Sequence, residues 1–98
     1  NFLESSCTAM FGYAAAKGSR LGILPARFAK SARNAYDGIV KHCLVGLDTD
    51  KLALSRICAG TCIGEKDYYY ARSQVSSGET YAIGAVLMLA NEINNLKQ

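Results

Sequence analysis

Four cysteines and a single histidine are the first places to look for chemistry in this sequence. Cys58 and Cys62 form a CxxxC pair in the run Cys58-Ala59-Gly60-Thr61-Cys62. On a helix, that spacing puts both sulfurs on one face. A structural zinc ion needs four ligands, which commonly arrive as two close pairs. Only one close pair is present here. His42 and Cys43 could add ligands, but adjacent residues on a helix point about 100° apart. A twin-CxxxC helical hairpin would need a second pair, and Cys7 and Cys43 are too distant in sequence to make one. No metal site is therefore expected.

The catalytic alternatives are no better supplied. Disulfide redox chemistry favours CxxC over CxxxC. A nucleophilic cysteine needs a base facing it, and His42 would not face the Cys43 thiol. Covalent attachment of a tetrapyrrole would ask for an Asp beside Arg56, and none accompanies it. Asp48 and Asp50 are explained as helix-capping acids rather than as a catalytic pair. The glycines are scattered and match neither a dinucleotide nor a phosphate loop. No catalytic residue and no cofactor are expected, and the chain reads as a non-enzyme.

The cysteines then read as structure. Cys7, Cys43, Cys58 and Cys62 can form two disulfides in three connectivities. The competing reading is a set of buried thiols, since free cysteine packs as a small hydrophobe. The chain begins at Asn1, which suggests a trimmed precursor. Processing together with four cysteines points to an oxidising setting, an organelle lumen or the secretory route.

Two groups could make contact with a partner. One is the run Tyr68, Tyr69 and Tyr70, because tyrosine offers a large contact area with a polar tip. The other is a basic stripe of Arg27, Lys30, Arg33 and Lys41. Between Lys17 and Lys41 there are six basic residues against the one acid Asp37, while the rest carries five basic and seven acidic residues. Net charge is +3 and the pI about 8.7, short of the strongly basic surface of nucleic-acid domains. The stripe holds no aromatic for base stacking. It reads as a solvated face, or as a docking surface for an acidic protein or anionic lipid head groups.

The elements that must position these groups are helical. Asn1–Lys17 has apolar residues at helical spacing, a stripe of Phe2, Leu3, Cys7, Met10, Phe11, Ala14 and Ala15, with Asn1 and Glu4 as a capping box and Gly18 as the stop. Pro25 opens a second, amphipathic helix that runs to Gly46. Within it, Gly38 either weakens the helix or admits a neighbour. Asp48 caps a third helix over 48–62. The piece 65–75 reads as a short helix or an irregular segment, and its three tyrosines have no strand to pair with. Ser76 and Glu79 cap the last helix, which is apolar nearly all round from Tyr81 to Ala90. Its polar end after Asn91 is expected to emerge into solvent. That apolar run is half the ~20 residues of a membrane span, so no transmembrane helix is expected.

At 98 residues with half of them apolar, the chain makes one helical domain, 1–98, with a small core. The expected fold is an all-α compact bundle of four main helices, with a fifth short one over 65–75. The expected function is a non-enzymatic accessory or structural subunit. It would dock into a larger assembly of protein subunits, such as a small extrinsic component of a photosynthetic or respiratory membrane complex. The second reading is a secreted, disulfide-stabilised helical protein that binds a hydrophobic ligand or a receptor.

Overall fold

The structure, a computed structural model, describes residues 4–46, 52–58, 63–67 and 80–96. Among them are helices α1 (Ser5–Arg20), α2 (Phe28–His42) and α3 (Thr80–Asn95), and strands β1 (Leu44–Val45) and β2 (Ala53–Leu54).

The start of α1 is fixed by Glu4. Its backbone is extended, and its carboxylate accepts the Cys7 amide at 2.6 Å. That places a negative charge against the unpaired amides of the first turn. Asn1, the expected cap, lies outside the described residues. The buried positions of α1 are Ser5, Ser6, Ala9, Gly12 and Ala16, and all but Ser6 form a helical stripe of small residues. Small residues let two neighbouring helices approach together. The expected stripe of larger residues faces the other way: Phe11 is 73% exposed, and Cys7 and Met10 are exposed as well. Gly12 sits at the three-helix junction, where an added Cβ would lie 3.1 Å from both the Ala35 Cβ and a Leu89 methyl.

Gly18 does not end α1. The helix continues to Arg20, and the left-handed residue is Gly22, φ +78°. The Gly18 carbonyl accepts the amides of Ile23 and Leu24, which folds the turn back onto the helix. Leu24 then occupies the space beside Gly18. Pro25 opens a turn whose carbonyl accepts the Phe28 amide, and α2 follows. Its buried side carries Ala32 and Ile39, as the amphipathic pattern predicts. It stops at His42 rather than Gly46.

From there the chain departs from the expected fold. Leu44–Val45 pairs antiparallel with Ala53–Leu54, Leu44 opposite Leu54 and Val45 opposite Ala53. The third helix expected over 48–62 is therefore absent from its described part, 52–58. Two things defeat the helical preference of Leu-Ala-Leu. The backbone of 53–56 is paired with the end of α2 and the start of α1, and Arg56 has a left-handed φ of 60° that no α-helix can pass through. The four-helix bundle is thus corrected to three helices and a short hairpin among the described residues. Of the expected fifth helix, Glu65 is not helical, Lys66 and Asp67 are, and 68–75 lies outside the described residues.

Helices α1 and α3 run parallel, with α2 antiparallel to both. At one end the Arg20 guanidinium meets the Glu92 carboxylate, at 2.8 and 3.1 Å. Beside it, Arg33 near the start of α2 donates to the Leu96 carbonyl just past α3, at 2.8 Å. Helix α1 packs against both others, which touch each other less. The core joins Ala9, Ile39, Cys43, Leu54, Ile57, Ala82 and Leu89. The expectation that α3 becomes solvent-facing after Asn91 is corrected at Glu92, which is only 5% exposed. A carboxylate can be buried there because Arg20 supplies two charge-assisted hydrogen bonds.

Candidate functional site

The polar groups of the layer gather at the end opposite the Arg20–Glu92 pair. This end brings together the start of α1, the end of α2, the start of α3 and the hairpin. Glu4 is the hub. One carboxylate oxygen takes the Cys7 amide, and the other takes the Ser6 hydroxyl at 2.7 Å and the Cys58 amide at 2.7 Å. Ser5 donates its amide to the Arg56 carbonyl at 2.8 Å and its hydroxyl to the Ser55 carbonyl at 2.9 Å. Ser55 donates its amide and its hydroxyl to the Cys43 carbonyl, at 2.7 and 2.8 Å. Arg56 Nε donates to the His42 carbonyl at 3.1 Å. Tyr81, at the start of α3, donates its hydroxyl to the Cys58 carbonyl.

These bonds explain how Arg56 can hold a left-handed backbone. The conformation is unfavourable for a residue with a Cβ, and it persists where neighbours over-determine it. Residues 52–58 are thereby strapped across the helix ends. A cavity of about 110 Å³ opens between the start of α1 and the end of α2, lined by Glu4, Thr8, Asn34, Gly38, His42 and Cys43 among others. An added Cβ at Gly38 would meet nothing within 4 Å, so this glycine faces open space and admits no neighbour.

The expected site residues are scattered. Cys43 is buried, Cys7 exposed and Cys58 half-buried; no disulfide joins these three, and Cys62 lies outside the described residues. The disulfide-stabilised reading is corrected accordingly. Burial pushes the Cys43 thiol up, partly offset by the nearby Arg56 charge, so it stays protonated and a poor nucleophile at neutral pH. Of the basic stripe, Arg27, Lys30 and Lys41 are exposed. Arg27 lies over the Phe28 ring, 5.2 Å from its centre. Arg33 leaves the stripe to cap α3. Tyr68, Tyr69 and Tyr70 lie outside the described residues.

One acid that carries structure, Glu92, was missed in the sequence, whereas Glu4 was read only as a member of a capping box with Asn1. Glu92 stands on the same helical stripe as Leu89 and Ile93, which is the signal that it points inward. Its partner Arg20 is too distant in sequence to be found by spacing. Arg20 holds the Glu92 carboxyl below the usual carboxylate range, against the opposing cost of burial. Asp37, Glu65 and Asp67 are exposed, and Asp48, Asp50 and Glu79 lie outside the described residues. Among the described residues, no group of three potential metal ligands comes together.

The model of Glycosyl Hydrolase Family 88 matches residues 1–97. The chain belongs to this family. A solved glycoside hydrolase from family 105 of C. acetobutylicum ATCC 824 superimposes with a TM-score of 0.82 at 31% identity. The match covers 98% of this chain and 28% of that one, so the family 88 chain spans little more than a quarter of its solved relative. The three helices and hairpin are thus a portion of an α/α-toroid, not a bundle closed on itself. The same matches overturn the accessory-subunit reading, including the extrinsic component of a membrane complex, and the secreted ligand carrier with it.

Proposed function

We propose that this chain is part of an enzyme that hydrolyses glycosidic bonds. The observation that carries the proposal is its likeness, at 31% identity across almost all of its length, to a solved glycoside hydrolase. Glycoside hydrolysis commonly uses two carboxyl groups flanking the scissile bond, one as acid and the other as nucleophile or base. Glu4 and Glu92 are unsuited to either part. Glu4 is occupied by three donors and Glu92 by a guanidinium. The chain's own contribution is to hold a substrate-facing end. The hairpin strap, the Arg56 turn and the cavity beside Glu4 and His42 all lie there, on a helical frame locked at its far end by Arg20–Glu92. Loops on a rigid scaffold are where binding groups concentrate.

The test is hydrolysis by the intact gene product, offered a panel of chromogenic glycosides and plant and bacterial oligosaccharides. Release of new reducing ends or aglycone supports the proposal. A folded product that cleaves nothing in the panel would contradict it. Under this reading Arg27, Lys30 and Lys41 form a solvated outer surface of the enzyme.

A further inference from the structure

The pocket between the start of α1 and the end of α2 has hydrogen-bonding capacity that the fold does not spend. Its α2 wall carries Asn34, Gly38 and His42, spaced by four and so on one face of the helix. Its α1 wall carries Glu4 and Thr8. Thr8 gives its hydroxyl hydrogen to the Glu4 carbonyl at 2.7 Å, so toward a ligand its oxygen can only accept. A carboxylate has about four acceptor positions, and three donors occupy that of Glu4. On the other wall, the Asn34 amide and the His42 imidazole make no hydrogen bond among the described residues. Each can donate as well as accept. Gly38 lies between them in the interior of α2, where glycine weakens a helix. Packing does not require it, since an added Cβ would meet nothing within 4 Å. What the missing side chain leaves is the cavity itself, about 110 Å³, with the buried Ile39 and Cys43 as an apolar base. That is room for about three or four waters, and so for part of a sugar ring.

We propose that this pocket binds adjacent hydroxyl groups of a saccharide. A hydroxyl donates and accepts at once. A neighbouring pair can therefore donate to Glu4 and Thr8 on one wall and accept from Asn34 and His42 on the other. The ring C–H groups then lie toward Ile39 and Cys43. An ammonium group has nothing with which to accept from the α2 wall. A carboxylate has nothing to donate to the α1 wall, and it would meet the Glu4 charge. The choice of a saccharide over other polyols rests on the glycosidase reading; the match of donors and acceptors does not.

Titration followed by saturation-transfer NMR tests it, in the intact product of the native gene. The probes are the methyl glycosides of galactose, glucose and mannose. The control is tetrahydropyran, the same ring without hydroxyls. Gly38→Leu fills the cavity and removes no polar group, and it weakens glycoside binding about tenfold or more. Asn34→Ala removes one donor and weakens binding several-fold. Asn34 is exposed and its amide holds no bond of the fold, so this variant reports even where Gly38→Leu impairs folding. Lys30→Ala, on the same helix, leaves binding unchanged. Three results would overturn the proposal. One is a parent protein that binds none of the glycosides. Another is binding that neither Gly38→Leu nor Asn34→Ala weakens. The third is tetrahydropyran binding with the same sensitivity to Gly38→Leu, which makes the pocket merely apolar. Hydrolysis is scored apart. Variant-sensitive binding in a product that cleaves no glycoside sinks the glycosidase reading and leaves the pocket, whereas cleavage with variant-insensitive binding does the reverse.

Discussion

The outer sides of α2 and α3 are built from opposite materials, although both helices pack on α1. That of α2 is charged, and its one aromatic neighbour, Phe28, lies under the Arg27 guanidinium. That of α3 carries Ile83, Leu87, Met88 and three asparagines, with no ionised group. The interior reverses the contrast. Ala32 and Ile39 are the buried residues of α2, whereas α3 buries a carboxylate together with Ala82 and Leu89. In a molecule closed on itself that would be poor use of an apolar helix. A sector of a toroid is not closed on itself, so this chain need not bury every side of an apolar helix. Charge placement on a helix therefore tells which side meets water more reliably than total hydrophobicity does.

The largest expected effect lies on the shared interior. Leu89 is fully buried against Gly12, and Leu89→Ala should cost about 2–5 kcal/mol by urea unfolding. Leu87→Ala on the outer face of the isolated chain should cost far less, and equal losses at the two positions would break the distinction between the sides of α3. Next comes Gly12→Ala. Its new methyl would press on Ala35 and Leu89 at 3.1 Å, and overpacking of this kind costs about 1–3 kcal/mol. A neutral outcome would show that α1 can move away from α2 and α3.

The buried acid gives a pH signature. Arg20 lowers the Glu92 pKa from its ordinary 4.5, so the folded state holds this proton less tightly than the unfolded chain. The resulting stability is fully present above about 4.5 and is lost as pH falls through the lower, folded value. Glu92→Gln should lower stability at pH 7 and flatten its acid limb, with the difference from the parent shrinking as pH falls below about 4.5. An unchanged acid limb in the variant would remove the pair from the account. The smallest effect is a gain. Gly38 on α2 faces open space, so Gly38→Ala should stabilise by up to about 1 kcal/mol in thermal unfolding. A loss instead would mean that the cavity Gly38 shares with Glu4 and His42 has no room for a methyl group.

The helices were legible because their signals are local. The α2 stripe of Ala32, Ala35, Tyr36 and Ile39 could be read from spacing alone. The hairpin was not legible, since Leu52-Ala53-Leu54 suits a helix until its backbone is claimed by the Cys43 carbonyl and the start of α1. The stripe of α1 was misread because its buried side is made of Ser5, Ala9, Gly12 and Ala16, which hydropathy scores weakly although they permit the closest packing. The polar hub around Glu4 joins residues about fifty positions apart, and no pattern in one sequence links them. The chemistry was invisible for a related reason: Glu4 and Glu92, the described acids brought into the fold, hold it together. The over-apolar final helix was read as a docking element. It was assigned to a foreign assembly when the family match supplies a larger fold of which this chain is a sector.

Of the two helices, α2 with its solvent-facing charges is also the one that lines the saccharide pocket. That assignment is tested most directly by titrating the methyl glycosides into the intact gene product and its Gly38→Leu variant. Binding about tenfold weaker in the variant, with tetrahydropyran silent in both, is the predicted result. Equal affinities in the two proteins would contradict it.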